Sequence, residues 1–388
     1  MSESHLRDDV TFLASHLIHR TSNTESERAA AEYIASRLRQ YVPDTEIDDF
    51  YSVDSMPLVL ASFYAEFVVV ALIGYWWPLA GFAYGIFVFF CYLAEITGFR
   101  LVGRLLPQYE TQNVAARIIG GTPSALFVVT AHYDSPKASF LNQPSMQPWL
   151  RPLHFIVLFA MLAVCTGCFS AYLGLGEAAA IPWDSVLRWS GLLILFGAAI
   201  FLLYSDYTAG YGRGTVNNAT GVAVLIELAR RVQETPLSSG DAWFVATGAK
   251  ESGLNGMRHL LRTHKLPKDT TFFLNLDGFG GGDLRYSDAE GLVRTFGHDG
   301  TLAGSAARLA PEYTARRYIH RGWPTDALLP LARGYDALTL SSERGGEART
   351  RNESAESAPT DIDFDRLTKA VDFAESILRE AAQGGPIR

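Results

Sequence analysis

Four long apolar segments constrain the fold of this 388-residue chain more than any other feature. They cover Leu58–Trp77, Leu79–Ile96, Leu153–Gly176 and Val186–Ser205. Each has about the 17–25 residues that a helix needs to cross a bilayer. Helices in the core of a large soluble domain, the alternative, rarely stay apolar on every face over such a length. The pattern therefore predicts four transmembrane helices arranged as two hairpins.

Few polar residues interrupt these segments. Glu66 is expected to face another helix or a wet cavity, or to stay protonated. Arg188 lies near the end of its segment, from which a long side chain can reach the membrane surface. Cys165 and Cys168 have the spacing of some metal and redox sites, but inside an apolar helix they are expected to be small packing residues. With Cys91 also in an apolar run, no disulfide framework is expected.

The distribution of basic residues predicts the orientation of the hairpins. Arginines lie on the polar side of the hairpins, at Arg100, Arg104, Arg151 and Arg213. The short connections 74–81 and 177–184 contain neither lysine nor arginine. The positive-inside rule therefore places the polar domain in the cytoplasm, as part of a multi-pass membrane protein. Residues 1–50 show no short apolar stretch typical of a cleavable signal.

The remaining polar chain is predicted to form one discontinuous domain. It comprises residues 1–56, 107–149 and 206–388, with hairpins at 57–106 and 150–205. Charged residues are 19% and apolar residues 48% of the chain, which excludes a disordered protein. The net charge of −8 provides no basic field to attract nucleic acid, so no nucleic-acid partner is expected. The four apolar segments make membrane lipid an expected partner.

Strand and helix patterns alternate along the polar chain. A buried strand is predicted at 125–131, further strands at 243–247, 271–276 and 337–340, and edge strands at 44–53 and 112–118. Helices are predicted at 8–41, with an interruption near 21–24, and at 218–232, 252–264, 326–333 and 363–382. Such alternation is typical of an α/β domain with a mostly parallel sheet covered by helices on both faces. A loop is predicted at Glu343–Pro359, which has no apolar period.

Side chains able to bind metal follow three of these strands. They are His132 with Asp134, Glu251, and Asp277. In open α/β sheets, sites form at the carboxyl ends of the strands. One histidine and two carboxylates suit zinc, and Asp134 is placed to orient the imidazole of His132. Carboxylates at strand ends also cap helices or pair with arginines, so the residues alone leave both interpretations open.

Six stretches of the chain resemble the M28 family of zinc exopeptidases, the co-catalytic di-zinc aminopeptidases. They are Glu25–Tyr41, Phe127–Ser135, Asn217–Ala229, Phe244–Gly256, Phe272–Gly278 and Thr325–Gly334. The resemblance implies a zinc-exopeptidase-like three-layer α/β/α fold with both hairpins inserted between its core elements. It also implies that His132, Glu251 and Asp277 occupy metal-ligand positions, with Asp134 and Asp326 beside the ligands.

Three positions depart from the family pattern. The resemblance places the bridging aspartate at Asn217, the general-base glutamate at Lys250 and the last histidine ligand at Ala327. A complete family site sets four carboxylates against two zinc ions. Here two carboxylates and one lysine give a net charge of about −1, and like charges about 4 Å apart repel by roughly 4 kcal/mol at an effective dielectric near 20.

This charge balance leads to a functional prediction. We expect the Lys250 ammonium to replace the missing metal, pair with Glu251 or Asp277, and leave the site without a cofactor. The chain is then a non-hydrolytic pseudopeptidase that binds a peptide or protein or scaffolds a membrane complex. The alternatives are a hydrolase with one zinc on His132 and Asp277, helped by His320 or by a neutral Lys250 as base, and a transporter.

Overall fold

The computed structural model describes residues 2–100, 102–120, 125–175, 181–212, 214, 218–343, 360 and 362–384. Four features of the sequence analysis lie wholly or partly outside these residues: Arg213, Asn217, positions 177–180 of the connection between the third and fourth apolar segments, and all of the predicted loop Glu343–Pro359 beyond its first residue.

The strands of the described chain are β1 (Thr45–Ser52), β2 (Tyr109–Ile118), β3 (Leu126–His132), β4 (Lys137–Ala138), β5 (Gly210–Tyr211), β6 (Asp241–Thr247), β7 (Thr271–Leu276), β8 (Asp283–Ser287), β9 (Ala289–Glu290), β10 (Phe296–Gly297), β11 (Arg316–Arg317) and β12 (Asp336–Glu343). Eight of these described strands form one sheet in the order β1-β2-β6-β3-β7-β12-β8-β11. The four central strands, β6, β3, β7 and β12, are parallel to their neighbours within that group. The predicted α/β fold with a mostly parallel central sheet is therefore confirmed.

Helices cover both faces of this sheet. One face carries α1 (Ser2–Ser15), α2 (Glu25–Arg39), α7 (Thr220–Glu234), α9 (Thr301–Tyr313) and α11 (Phe364–Gly384), and the other carries α8 (Asn255–Thr263) and α10 (Leu328–Ala332). Successive strand residues serve opposite cores, because side chains alternate along a strand. Val129 packs in the first core and its neighbour Val128 in the second.

Two helical hairpins project from the domain. They consist of α3 (Met56–Trp76) with α4 (Pro78–Ile96), and α5 (Gln147–Tyr172) with α6 (Trp183–Thr208). These four helices of the described chain are long and apolar enough to cross a membrane. Their contacts use small residues, since Gly74 and Gly85 leave no room for a Cβ beside the sulfur atoms of Cys168 and Cys165. Both cysteines are buried, which agrees with a packing role.

The polar residues within the hairpins find partners on neighbouring helices. Tyr84 of α4 donates a hydrogen bond to Glu66 of α3 at 2.7 Å. Arg188, which was predicted to extend toward the membrane surface, contacts the end of α3. It is only 4% exposed and donates to the carbonyl oxygen of Gly74 at 2.8 Å. The physical reason is that carbonyls near the end of a helix lack partners within the helix, so the C-terminal end of α3 attracts the guanidinium.

Polar contacts join the hairpins to the α/β domain. Asp206, near the end of α6, accepts hydrogen bonds from Ser55 at 2.9 Å and from Lys137 at 3.0 Å. Ser55 also caps the N-terminus of α3 through the backbone N–H of Leu58. On the other hairpin, Arg258 of α8 donates to the carbonyl oxygen of Gly98, just beyond α4. The ends of both hairpins are thus fixed to the domain.

Some elements differ from their predictions. Strand β2 was predicted at an edge but lies between β1 and β6. Helix α9 and strand β8 were not predicted. The sequence of α9 is rich in alanine and contains Gly304 and Pro311, so its apolar period is weak.

Candidate functional site

Three neighbouring parallel strands bring the candidate residues to one edge of the sheet. His132 is the last residue of β3, and Asp277 directly follows β7. Lys250 and Glu251 lie in the turn between β6 and α8. Because β3 pairs in parallel with both β6 and β7, all these side chains start from the same carboxyl edge. The structure therefore brings together four of the residues singled out in the sequence.

The first half of the site is the pair His132 and Asp277. Their atoms Nε2 and Oδ1 lie 3.5 Å apart, which is an ion-pair contact without hydrogen-bond geometry. Both atoms are buried, and neither has a hydrogen-bond partner among the described residues. Buried polar atoms are nearly always satisfied, so this pair is a site where a bound cation would complete the coordination.

Asp134 holds the imidazole of His132 from the opposite side. Its Oδ1 lies 3.3 Å from His132 Nδ1, and its backbone oxygen lies 3.1 Å from the same nitrogen. Its Oδ2 accepts hydrogen bonds from the Ser22 hydroxyl and the Glu251 backbone N–H, each at 2.8 Å. A carboxylate fixed in this way orients the ring and directs Nε2 toward Asp277.

The second half of the site is the pair Lys250 and Glu251. Lys250 Nζ lies 2.8 Å from Glu251 Oε1, and the two side chains are 7% and 20% exposed. Burial lowers the pKa of Lys250, but the charges of Glu251 and Asp277 outweigh burial and raise it above its ordinary value. The lysine is therefore an ammonium ion, and a neutral Lys250 acting as a base is disfavoured.

The same charges set the protonation of the first half. Burial and Lys250 lower the pKa of His132, but its contacts with Asp134 and Asp277 outweigh both and raise the pKa to about 9. Burial raises the pKa of Asp277, whereas Lys250 and His132 lower it, and the net direction is well below its usual range. Without a bound cation, this half is an imidazolium–carboxylate pair at neutral pH.

Glu27 supports the turn that presents Lys250. Its side chain accepts hydrogen bonds from the backbone N–H of Ala249 at 2.9 Å, the backbone N–H of Asn23 at 2.6 Å and the Thr111 hydroxyl at 3.0 Å. Ala249 has a positive φ of 50°, so these bonds stabilise a conformation that is costly for alanine. Burial, with the nearby charge of Asp134, raises the pKa of Glu27 to about 8.

Sequence reasoning missed Glu27 in this role. Thr24 and Glu27 have the spacing of a capping box, a signal for the start of a helix and not for a site. In the structure Thr24 does accept the backbone N–H of Glu27, but the carboxylate crosses to Ala249, 222 positions along the chain.

The position of the family's last histidine has a different environment. Ala327 is 1% exposed and packs in an apolar cluster with Leu254 and Met257. Asp326 accepts a hydrogen bond from the Thr247 hydroxyl, and burial raises its pKa to about 6. His320 directs Nε2 to the carbonyl oxygen of Trp323 at 2.6 Å, so this nitrogen already has a partner.

These residues can be tested for their fit to zinc. Within the described residues, no group of three or more His, Cys, Asp or Glu side chains is arranged to hold a metal ion. The unpartnered pair of His132 and Asp277 still fits as two of the roughly four ligands that zinc takes. Glu251 lies against an ammonium, which opposes a dication beside it. The described site thus fits one zinc ion better than two.

Comparison with known proteins relates the chain to a peptidase family. The sequence profile of Peptidase family M28 matches residues 183–352. The "Alkaline phosphatase isozyme conversion protein" of Escherichia coli (strain K12) is 40% identical over 78 residues, which are 19% of this chain and 22% of that protein. The chain thus matches only about a fifth of the length of this curated relative.

Solved structures agree with this assignment at the level of the fold. BSAP, a zinc aminopeptidase from Bacillus subtilis, aligns with a TM-score of 0.56 at 15% identity over 98% of this chain and 94% of that one. The aminopeptidase of Aneurinibacillus sp. strain AM-1 aligns with a TM-score of 0.55 at 13% identity, over 99% of this chain and 94% of that one. An Acidobacteriales bacterium glutaminyl cyclase aligns with a TM-score of 0.55 at 13% identity, over 99% of this chain and 96% of that one. The zinc-exopeptidase-like fold is confirmed.

These comparisons confirm the resemblance to M28 and correct one prediction. The expectation that the chain takes no cofactor is wrong, because the M28 profile matches and a zinc aminopeptidase is among the structural neighbours. The physical reason is visible at the first half of the site, where the charge argument overlooked two buried atoms, His132 Nε2 and Asp277 Oδ1, that have no hydrogen-bond partner in the described part of the chain. The roles given to Asn217, Lys250, Glu251 and Ala327 remain predictions.

Proposed function

We propose that this chain, which carries a Peptidase family M28 domain, is an integral membrane pseudopeptidase that binds a peptide or a protein partner without hydrolysing it. One observation carries the proposal. At the position that the family resemblance gives to the general base, the structure has a buried ammonium, Lys250, in contact with Glu251 at 2.8 Å.

Peptide hydrolysis requires a group that removes a proton from the attacking water. A carboxylate can do this, whereas a lysine with a raised pKa stays protonated at neutral pH. Loss of a general base alone typically costs about 10²–10⁴ in rate. The ion pair also withdraws Glu251 from metal binding, so the half of the site nearest to this lysine lacks both functions.

Zinc is compatible with this proposal. His132 and Asp277 would hold the ion, which supplies polarisation of a carbonyl oxygen or a bound water. Asp134 would keep the imidazole oriented, and the Lys250 ammonium would donate a hydrogen bond to an oxygen of the peptide. A site of this composition binds and orients a peptide but has no carboxylate base.

The membrane location is part of the proposal. The four apolar helices support insertion into a bilayer, and the arginines on the polar side support a cytoplasmic position for the α/β domain. Cysteine accessibility measured in intact cells tests this orientation. Labelling of a single cysteine at position 265 only after the cells are permeabilised is the expected result, and labelling in intact cells contradicts it.

A hydrolysis assay tests the absence of turnover. The full chain in nanodiscs is supplied with zinc and a library of aminoacyl-coumarin substrates. We expect fluorescence release equal to that of the His132→Ala variant. Zinc-dependent release by the unmodified chain that His132→Ala abolishes overturns the proposal.

A gain of activity provides the complementary test. Lys250→Glu combined with Asn217→Asp restores carboxylates at two family positions, and we expect zinc-dependent turnover to appear. The matched control is Lys265→Glu, which makes the same change of charge at an exposed lysine and is expected to stay inactive.

A second candidate function is favoured by the unpartnered atoms of His132 and Asp277. A hydrolase with one zinc on these two residues requires activity that chelation removes and zinc restores. If activity is found and the combined change Lys250→Glu, Asn217→Asp and Ala327→His leaves it unaltered, the three departures have no bearing on catalysis.

A further inference from the structure

A cavity of about 150 Å³ connects the candidate site with the membrane helices. Its inner end is lined by Lys250 and Glu251. Its walls include residues from all four apolar helices, taken from the ends nearest to the α/β domain, such as Leu60, Ile96, His154 and Leu202. A ligand that fills the cavity therefore touches the site and the inserted hairpins together.

The hairpins change what the site can accept. Leu60 and Leu202 are 3% and 9% exposed, so the cavity approaches well-packed parts of α3 and α6. Leu141, Leu292 and Val293 extend the apolar wall. An apolar wall beside the ends of transmembrane helices suits a ligand that itself comes out of the bilayer, since tethering raises its local concentration at the cavity.

Polar groups along the same walls point to a polypeptide. The lining includes the polar side chains of Ser22, Ser139 and Asn142 beside its charged residues. A lipid acyl chain would displace water from these groups and offer them no hydrogen bond, at a cost for each one. The backbone of a polypeptide offers N–H and C=O groups at every residue and can form hydrogen bonds with such a wall.

The charge of the lining argues against a lipid headgroup. Four acidic and four basic residues of the described chain line the cavity: Asp54, Glu95, Asp206, Glu251, Lys137, Lys250, Arg258 and Arg294. Several are already paired, as in Lys137 with Asp206 at 3.0 Å. With histidine neutral, the lining is balanced and offers no excess of positive charge for a phosphate.

We propose that the cavity binds a short polar segment of a membrane-anchored polypeptide, at the point where that polypeptide leaves the bilayer. This inference rests on the proposed function, because that function makes the ligand a peptide. It goes beyond that function by naming membrane attachment as the feature that selects the ligand.

The test uses a defined probe. A synthetic peptide has an apolar helix of about 20 residues, long enough to span the bilayer, followed by a polar Ser/Asn/Gly segment with a photocrosslinker. It is reconstituted with the full chain in phosphatidylcholine nanodiscs. Two further probes are the polar segment without the helix and a photoactivatable phosphatidylcholine.

Substitutions that fill the cavity provide the comparison. Leu202→Trp adds a large side chain to the wall, whereas its neighbour Leu203 is 42% exposed and makes Leu203→Trp the matched control. We expect Leu202→Trp to lower the crosslinking yield of the anchored peptide at least about fivefold and the control to leave it unchanged. A second pair, Leu60→Trp and the control Leu72→Trp (46% exposed), serves if Leu202→Trp fails to fold.

Three outcomes contradict the proposal: equal yields for the cavity variant and its control, equal yields for the anchored peptide and the free polar segment, or crosslinking of the lipid probe alone. The hydrolysis assay separates the two proposals. Cleavage of the anchored peptide, with crosslinking that depends on Leu202, removes the proposed pseudopeptidase and keeps this inference. Absence of both cleavage and crosslinking removes this inference and keeps the proposed pseudopeptidase.

Discussion

The two halves of the site differ in how their buried charges are compensated. In one half, Lys250 and Glu251 neutralise each other at 2.8 Å. In the other, His132 and Asp277 stand 3.5 Å apart with facing atoms that have no hydrogen-bond partner among the described residues. The first arrangement is complete without a ligand, whereas the second is improved by a cation.

This difference shows that the two halves have different requirements. Buried atoms without a hydrogen-bond partner among the described residues lie at the ends of β3 and β7, while the turn after β6 carries its own cation, Lys250. One half of such a site can therefore favour a bound cation while the other opposes one. Neither property follows from the fold alone.

Removal of the Lys250 ammonium has the largest expected effect on the stability of the folded chain. Lys250→Met leaves Glu251 and Asp277 without their positive partner, and we expect a loss of about 3 kcal/mol in the free energy of unfolding, measured by denaturant titration in detergent. Lys137→Met is the matched control, because its pair with Asp206 is 26% and 19% exposed and should contribute about 1 kcal/mol. Equal losses in the two variants would remove the distinction between a buried cation and a boundary one.

Zinc should stabilise the chain only through the half of the site formed by His132 and Asp277. At a zinc concentration of about 100 times the dissociation constant, we expect a stabilisation of about 2.7 kcal/mol, measured as a shift of thermal unfolding. The shift should vanish in His132→Ala and Asp277→Asn and persist in Glu251→Gln. A shift that depends equally on Glu251 would place the ion between the two halves and contradict the contrast drawn above.

The pH dependence of stability sharpens the comparison further. The pKa of His132 is raised to about 9 in the folded chain, from an ordinary value near 6.5. Its stabilising effect is therefore fully present below pH 6.5 and is lost as pH rises through about 9. In the presence of a chelator, we expect the free energy of unfolding to decline by on the order of 2 kcal/mol over this window. Thermal unfolding recorded at each pH measures this decline.

The matched variant for this experiment is His132→Asn, which removes the titrating ring. Over the same window its stability should decline less than that of the unmodified chain, because the ring no longer titrates. Lys250 stays charged throughout, and Glu27, with a pKa of about 8, titrates in both proteins. A decline of equal size in the variant would assign the pH dependence to another group.

Much of the fold follows from local sequence patterns. Strand β7 has the bounds predicted for it, and the four apolar helices lie within a few residues of their segments, since continuous apolar runs are strong signals. Helix α9 lacked such a signal, because alanine, glycine and proline blur its period. The partner of Arg188 was not predicted, because Gly74 lies on another helix 114 positions away.

The site was predictable only where it depends on strand ends. His132 and Asp277 follow buried strands, and a parallel sheet brings such positions together. The groups that hold them in place came from elsewhere: Ser22 bonds to Asp134 across 112 positions, and Glu27 to Ala249 across 222. Such distant hydrogen bonds leave no periodic trace in a single sequence.

The carboxylate of Asp206 gives the bilayer a mechanical connection to the domain. It binds the cap of α3 through Ser55 and strand β4 through Lys137, while its own helix α6 is long enough to span the membrane. Helices adjust their tilt to the thickness of the surrounding lipid. In the proposed membrane-embedded arrangement, a tilt of α6 would displace this carboxylate, which lines the cavity, and so would link the thickness of the bilayer to the position of the α/β domain.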